Sequence, residues 1–214
     1  MWRCAIGWGT SAPNGSGESG EANDANTMEV KALRIGDVKL LLPDRHYDER
    51  GFFSETYRRD ALAEAGIDLD FVQDNQSFSK YRGTIRGFHF QSPPFAQAKL
   101  VRVAHGAAYD VAVDIRKGSP TFGQWVGVTI SAENWCQVLV PEGFAHAVCT
   151  LEPNTEIIYK ASNFYSLEHD TGFLWNDPTL AIDWPIGAED AVLSDRDRQQ
   201  PTLDQIEPPF IYDR

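Results

Sequence analysis

The chain has 214 residues, 42% of them hydrophobic and 12% aromatic, enough to bury the core of one globular domain. Its formal net charge of −12 excludes a general nucleic-acid binder, which would need a basic face, but leaves room for a local arginine pocket that takes a small anion. No apolar run approaches the roughly 20 residues of a membrane helix. Cys4, Cys136 and Cys149 are widely spaced and form no CxxC pair, which fits a reducing, cytoplasmic compartment.

The opening MWRCAIGWGTS lacks a long apolar stretch after its one arginine and makes a poor signal peptide. SAPNGSGESGEANDANT, residues 11 to 27, cannot bury enough apolar surface to offset the entropy of ordering it. Residues 1–27 are therefore expected to form a disordered tail, with Met28 a candidate for the original start, and residues 28–214 a single domain. VKALRIGDVKLLLP alternates and then turns at Pro43 and Asp44; GFFSETY is aromatic and β-prone. RRDALAEAGID, residues 58 to 68, is the one clear helical stretch of the first half, closed by Gly66.

Strand-like runs then follow closely: DFVQDNQSFS, GTIRGFHFQ, AKLVRVAHG, AAYDVAVDIR, QWVGVTIS, WCQVLVP and EIIYKAS. Turn residues separate nearly all of them, a pattern of sandwiches and barrels. AAYDVAVDIR is the most regular, with Tyr109, Val111, Val113 and Ile115 on one face and Asp110, Ala112, Asp114 and Arg116 on the other. From about residue 175 prolines and acids dominate, with a short helix expected at LSDRDRQQ. No GxGxxG or GxxxxGK[ST] nucleotide fingerprint occurs.

The five histidines, at 46, 89, 105, 146 and 169, form no HxH or HxxxH pair, so the ligand count argues against a metal site. Strand parity puts His89 beside Ile85, Gly87 and Gln91, and Gly87 leaves room for a close approach. Residue types alone leave His89 as either a hydrogen-bonded core histidine or an acid–base group titrating near neutrality. Arg86 has the wrong parity to join it unless a bulge intervenes or it sits at the strand entrance. Lys99 either snorkels to the surface or points into a polar cavity. Tyr159 and Tyr165 share a face if their strand continues, and core packing is the simplest role for both. His146, after a Pro-Glu-Gly turn, reads as a loop residue, and Ser194 with Asp197 fits a helix-capping pattern.

The order of the motifs says more than any one of them. DERGFFSETY, FVQDNQS, IRGFHFQ, AQAKLVRV, DVAVDIRKGSPTFGQWVGVTISAEN, VPEGFAHA, YKASNFYS, WNDPTLAIDWP and LSDRD, in this order from residue 48 to 197, closely resemble dTDP-4-dehydrorhamnose 3,5-epimerases. The resemblance covers nearly everything after about residue 29. It implies an all-β, cupin-type jelly-roll (double-sheet) barrel with a few short helices. It also implies a cytoplasmic homodimer with exchanged N-terminal strands, acting on dTDP-4-dehydro-6-deoxyglucose without metal or other cofactor. By the same resemblance His89 is the base, Asp197 its partner, Lys99 the cation near the keto oxygen and Tyr159 the opposing proton donor. His146 and Tyr165 would line the site. Gln73, Asn75 and Arg86 would contact diphosphate and sugar. Arg50, Phe53 and Glu55 would reach the neighbouring subunit's nucleotide. GFAHAV stands where the family often has GFAHGF, so the wall beside His146 is expected to differ. Residues 1–28 have no family counterpart. A C5-only or C3-only epimerase, a 3,4-ketoisomerase, a non-catalytic nucleotide-sugar binder and a metal-dependent oxygenase remain as alternatives.

Overall fold

The computed structural model describes residues 28–213, so the tail expected over residues 1–27 lies outside the described residues. The first alternating run is two strands, β1 (Glu29–Ala32) and β2 (Lys39–Leu42), hairpinned through a turn in which Val38 donates to the Ile35 carbonyl. A second hairpin, β3 (His46–Asp48) with β4 (Gly51–Phe53), carries the aromatic GFF run, but the strand stops there rather than continuing to Tyr57. Helix α1 (Arg59–Glu64) is shorter than the expected 58–68. Gly66 adopts φ +79°, the left-handed conformation that closes helices and that glycine takes without a side-chain clash.

The expected strand series follows as β5 (Gln73–Ser79), β6 (Ile85–Gln91), β7 (Lys99–His105), β8 (Ala107–Asp114), the short β9 (Arg116–Lys117), β10 (Trp125–Ser131) and β11 (Gln137–Val140). β12 (Phe144–Thr150) corrects the loop reading of His146: FAHAVCT is a strand buried on both faces, and its lack of polar alternation hid it. β13 (Thr155–Ala161) and β14 (Asp170–Gly172) follow. Near the end come α2 (Asp195–Arg198) and β15 (Phe210–Ile211).

Two antiparallel sheets face each other. One runs β1-β2-β11-β7-β13-β5 and the other β10-β8-β12-β6-β14, the cupin-type jelly roll. Between them lies a core of small and β-branched side chains, including Val101, Val103, Ala108, Ala112, Ile130, Val138, Val148 and Ile157. Each sheet is also covered on its outer face. Leu62 and Ile67, from α1 and the turn after it, pack on Leu41, Leu100 and Leu139 of the six-stranded sheet. The C-terminal segment lays Phe173, Leu180, Leu203 and Phe210 over Phe88, Val111, Val113 and Ile115 of the five-stranded sheet. The alternation read in AAYDVAVDIR is therefore that of a strand covered on both sides. Its valines lie under the C-terminal cover, while Asp110 and Ala112 face the barrel interior.

Candidate active site

β6 positions the central histidine, but not by simple alternation. On β12, His146 and Val148 are two residues apart; their partners on β6, His89 and Arg86, are three apart. One extra residue on β6 makes this a β-bulge. Gly87 sits in it with φ +131°, and a Cβ there would lie 2.5 Å from Ala147 Cβ and 2.6 Å from the His146 carbonyl oxygen. Only glycine lets the two backbones approach so closely. The bulge overturns the expected grouping of His89 with Ile85: Ile85, Phe88 and Phe90 turn outward into apolar clusters. Arg86 and His89 instead both face the interior, into a cavity of about 310 Å³.

Opposite His89, α2 delivers its partner. His89 Nε2 lies 2.6 Å from Asp197 Oδ1, and the carboxylate is almost fully buried. The capping reading of Ser194 holds as well, since its Oγ accepts from the Asp197 backbone N–H at 3.1 Å. The same hydroxyl donates to Asp197 Oδ2 at 2.7 Å, so the cap also aims the carboxylate. Burial on its own would raise the Asp197 pKa. The hydrogen bonds from His89 and Ser194, with the charges of His89 and Arg196, outweigh burial and hold it below the usual carboxylate value. The other ring nitrogen of His89, Nδ1, makes no hydrogen bond among the described residues.

The facing wall comes from the six-stranded sheet. Lys99 alternates inward with Val101 and Val103 of β7, so its ammonium enters the cavity rather than snorkelling outward. Burial lowers its pKa, and the negative charges of Asp170 and then Asp110 oppose that fall. Its Nζ lies 5.9 Å from the centre of the Tyr159 ring. Tyr159 is placed by the inward register of β13, next to Val101. Burial raises its pKa and Asp170 adds to the rise, while Arg86 opposes it, so the phenol stays protonated through the neutral range. β13 ends at Ala161, so Tyr165 does not share the strand face expected for it. Tyr165 is 54% exposed and does not line the cavity, its hydroxyl donating to Asp170 Oδ2 at 3.1 Å.

The remaining expected residues divide between the cavity and the periphery. His146 lines the cavity, its Nε2 2.8 Å from Asp110 Oδ2. Arg86 also lines it, held by Ser79 Oγ at 3.3 Å and the Phe78 carbonyl at 3.1 Å. Gln73 and Asn75 share the inward face of β5 with Ser77, which lines the cavity; Gln73 Nε2 donates to Asn75 Oδ1 at 2.9 Å. Arg50 and Phe53 are exposed on the β3–β4 hairpin, Glu55 lies just beyond it, and none of the three lines the cavity. Ser77, Asp110, Asp170 and Arg196 were missed from the sequence. Asp110 did leave a signal: a carboxylate on the inward face of a two-sided strand must find a partner. Asn75 Nδ2 and Asp110 Oδ1 are buried without a hydrogen-bond partner among the described residues. Nowhere among those residues do three or more His, Cys, Asp or Glu side chains group closely enough to hold a metal ion, and no helix is long and apolar enough to cross a membrane.

A family model described as dTDP-4-dehydrorhamnose 3,5-epimerase matches residues 32–205. The dTDP-4-dehydrorhamnose 3,5-epimerase of Salmonella typhimurium is 51% identical over 179 residues, which is 83% of this chain and 97% of that protein. A crystal structure of dTDP-4-dehydrorhamnose 3,5-epimerase from Bacillus anthracis, with TDP and PPi bound, is 52% identical. It superposes with a TM-score of 0.80 over 82% of this chain and 99% of the other. dTDP-6-deoxy-D-glucose-3,5-epimerase from Legionella pneumophila, in complex with dTDP-4-keto-L-rhamnose, is 43% identical. Its TM-score is 0.83 over 87% of this chain and all of the other, 100%.

Proposed function

Since the chain belongs to the dTDP-4-dehydrorhamnose 3,5-epimerase family, we propose that His89 and Tyr159 together invert C3 and C5 of dTDP-4-dehydro-6-deoxy-D-glucose, giving dTDP-4-dehydro-L-rhamnose. One observation carries the assignment of roles. An imidazole from the five-stranded sheet and a phenol from the six-stranded sheet line one cavity from its two walls, with an ammonium beside them.

The chemistry requires such a pair. The C4 ketone acidifies the C–H bonds at C3 and C5. Inversion takes a proton from one face of the sugar ring and returns one to the other. His89 removes the proton, and Asp197 stabilises the imidazolium that results. The electron pair moves onto the C4 oxygen, where the Lys99 ammonium meets the enolate charge; one such preorganised donor is worth ~3–4 kcal/mol. Tyr159 delivers its phenolic proton to the opposite face as the C–C double bond of the enolate is consumed and the ketone re-forms. Solvent then restores the proton on Tyr159 and takes the one on His89. Repeating the cycle at the second carbon completes the reaction with no change of oxidation state.

The periphery supports the rest of the reading. Arg86, Gln73 and Asn75 supply the donors that a diphosphate and sugar need, and guanidinium forks suit phosphate oxygens. His146 closes the wall. Tyr47 and Phe53, 66% and 68% exposed, stand on the β3–β4 hairpin with Arg50. That exposure suits a homodimer with exchanged N-terminal strands, in which Arg50, Phe53 and Glu55 reach the partner's nucleotide. A cytoplasmic site of action accords with Cys136 and Cys149, both buried and unbridged.

Incubation with dTDP-4-dehydro-6-deoxyglucose in deuterated water, followed by NMR, tests this reading. Deuterium should enter at both C3 and C5 with inversion at each, at an unchanged rate in EDTA. Exchange at one carbon alone would make the protein a mono-epimerase. Binding without exchange would leave only a nucleotide-sugar binder.

A further inference from the structure

Asp197 can serve His89 only while its carboxylate stays aimed, and an aspartate carboxylate turns easily about its last side-chain bond, a broad, roughly two-fold torsion. Here each oxygen has its own tether. Oδ1 meets His89 Nε2 at 2.6 Å, and Oδ2 accepts from Ser194 Oγ at 2.7 Å. Ser194 Oγ in turn accepts from the Asp197 backbone N–H at 3.1 Å. One hydroxyl thus fixes both the main chain and the side chain of Asp197. A hydroxyl has a single proton to give, and Ser194 gives it to Oδ2. Although Ser194 borders the cavity, it has no donor left for a ligand.

The helix cannot supply this precision by itself. α2 has four residues, a single turn, far too short to hold its shape unaided. Its placement comes from contacts on either side of Ser194. Beyond it, Arg196 Nη1 donates to Asp170 Oδ2 at 2.6 Å and ties the helix to β14. Ahead of it, Val192 forms a parallel bridge with Thr84. The Val192 N–H donates to the Gly83 carbonyl and its own carbonyl accepts from the Ile85 N–H, both at 2.9 Å. Ile85 opens β6, the strand that carries His89. The segment leading into Ser194 is therefore registered on the same strand as the base, just before the hydroxyl that sets the carboxylate.

We propose that Ser194 is a positioning residue for the reaction: registered on β6 through Val192, its hydroxyl locks the Asp197 carboxylate so that Oδ1 stays on the His89 imidazole throughout the proton transfers. This role rests on the epimerase reading for its effect on turnover, while the hydrogen bonds can be read without substrate.

Substitution separates the capping of α2 from the aiming of the carboxylate. Ser194→Gly removes the hydroxyl, yet glycine is a fair helix cap, so the thermal unfolding transition should stay near wild type. Ser194→Thr keeps a hydroxyl. The first readout is proton NMR of the full chain with nitrogen-15 histidine, in which the His89 Nε2 proton, assigned by its loss in His89→Ala, is expected far downfield. It should persist in Ser194→Thr and be broadened by exchange with water in Ser194→Gly. The second is turnover. Ser194→Gly should lower kcat about tenfold, the low end for one hydrogen bond to a charged group, with KM unchanged, and Ser194→Thr should recover most of the loss. The third is a double variant. A hydroxyl that acts only through the carboxylate adds nothing to the loss in Asp197→Asn, whereas a merely structural role would multiply the two losses. An unaltered Nε2 proton in Ser194→Gly would overturn the proposal, and so would multiplied losses or a change in KM rather than kcat. Ser194→Cys, with only a weak donor, takes the same readouts if Ser194→Gly does not fold. A wild-type chain that leaves the keto-sugar unchanged would sink the epimerase reading, while the Nε2 proton still decides whether Ser194 holds the pair.

Discussion

Two histidine–aspartate pairs share the cavity, and they are built differently. His89 and His146 face each other across the β6–β12 register. His146 takes its partner from the next strand of the same sheet, Asp110 on β8, 36 residues away in sequence. His89 takes its partner from a four-residue helix 108 residues away. The side chains of His146 and Asp110 are 11% and 1% exposed; those of His89 and Asp197 are 28% and 5%. The first pair is part of the sheet and fixed once the barrel forms. The second takes its carboxylate from late in the chain and is the more exposed of the two. Similar groups thus sit in different settings, and on the proposed mechanism His146–Asp110 serves as wall and His89–Asp197 as proton carrier.

Mutating each pair in turn tests that division. His89→Ala should leave the thermal unfolding transition near wild type and cut turnover by at least ~10²-fold, the lower end for general base catalysis. Near-normal deuterium incorporation into the sugar by this variant would break the comparison outright. Asp197→Asn should cost less, about 10- to 100-fold in kcat, as expected on losing a hydrogen bond to a charged group. Its KM should change little, because the carboxylate acts through His89. Asp110→Asn should show the opposite balance. Activity is expected to fall only about two- to tenfold, mostly in KM, while urea unfolding shows about 1–3 kcal/mol of lost stability from disturbing a buried partner. Equal kinetic losses in Asp110→Asn and Asp197→Asn would make the two pairs equivalent.

What the sequence showed of these pairs follows from how each was made. The barrel was legible because regular strands such as AAYDVAVDIR write their two faces at period 2. Lys99 and Tyr159 were placed in the site by the family resemblance, since residue types alone left Lys99 open and read Tyr159 as core packing. β12 was hidden because a strand buried on both sides loses its alternation, and with it went the strand position of His146. The place of Arg86 beside His89 depended on a bulge, and one extra residue reverses parity for everything beyond it. Gly87 was noticed, but residue type alone could not say that a neighbouring strand, rather than a ligand, approaches it. The His89–Asp197 and Asp170–Arg196 contacts join segments 108 and 26 residues apart. Spacing cannot show such contacts; for the first, the family resemblance could. For Asp197 local spacing suggested a helix-capping pattern with Ser194, and the structure shows that the residue capped by Ser194 also carries the carboxylate hydrogen-bonded to His89.

That double duty gives the smallest and most specific expectation. The Asp197 carboxyl is held below its unfolded value by His89, Ser194 and Arg196 despite burial. The unfolded chain therefore takes up the proton more readily, and stability rises with pH through the window between the folded and unfolded values. The contribution is complete above the ordinary aspartate value of about 4 and fades as pH falls through the depressed one. Asp114 behaves likewise for a different reason: burial alone would raise it, but Arg116, Ser119 and Thr121 hold it low, far from the cavity chemistry. Unfolding measured in urea between about pH 2.5 and 6 should therefore flatten at its acidic end in both Asp197→Asn and Asp114→Asn. Only Asp197→Asn should also lower kcat at pH 7. An acid profile unchanged by Asp197→Asn would mean that the carboxylate serves His89 alone and contributes nothing to folding.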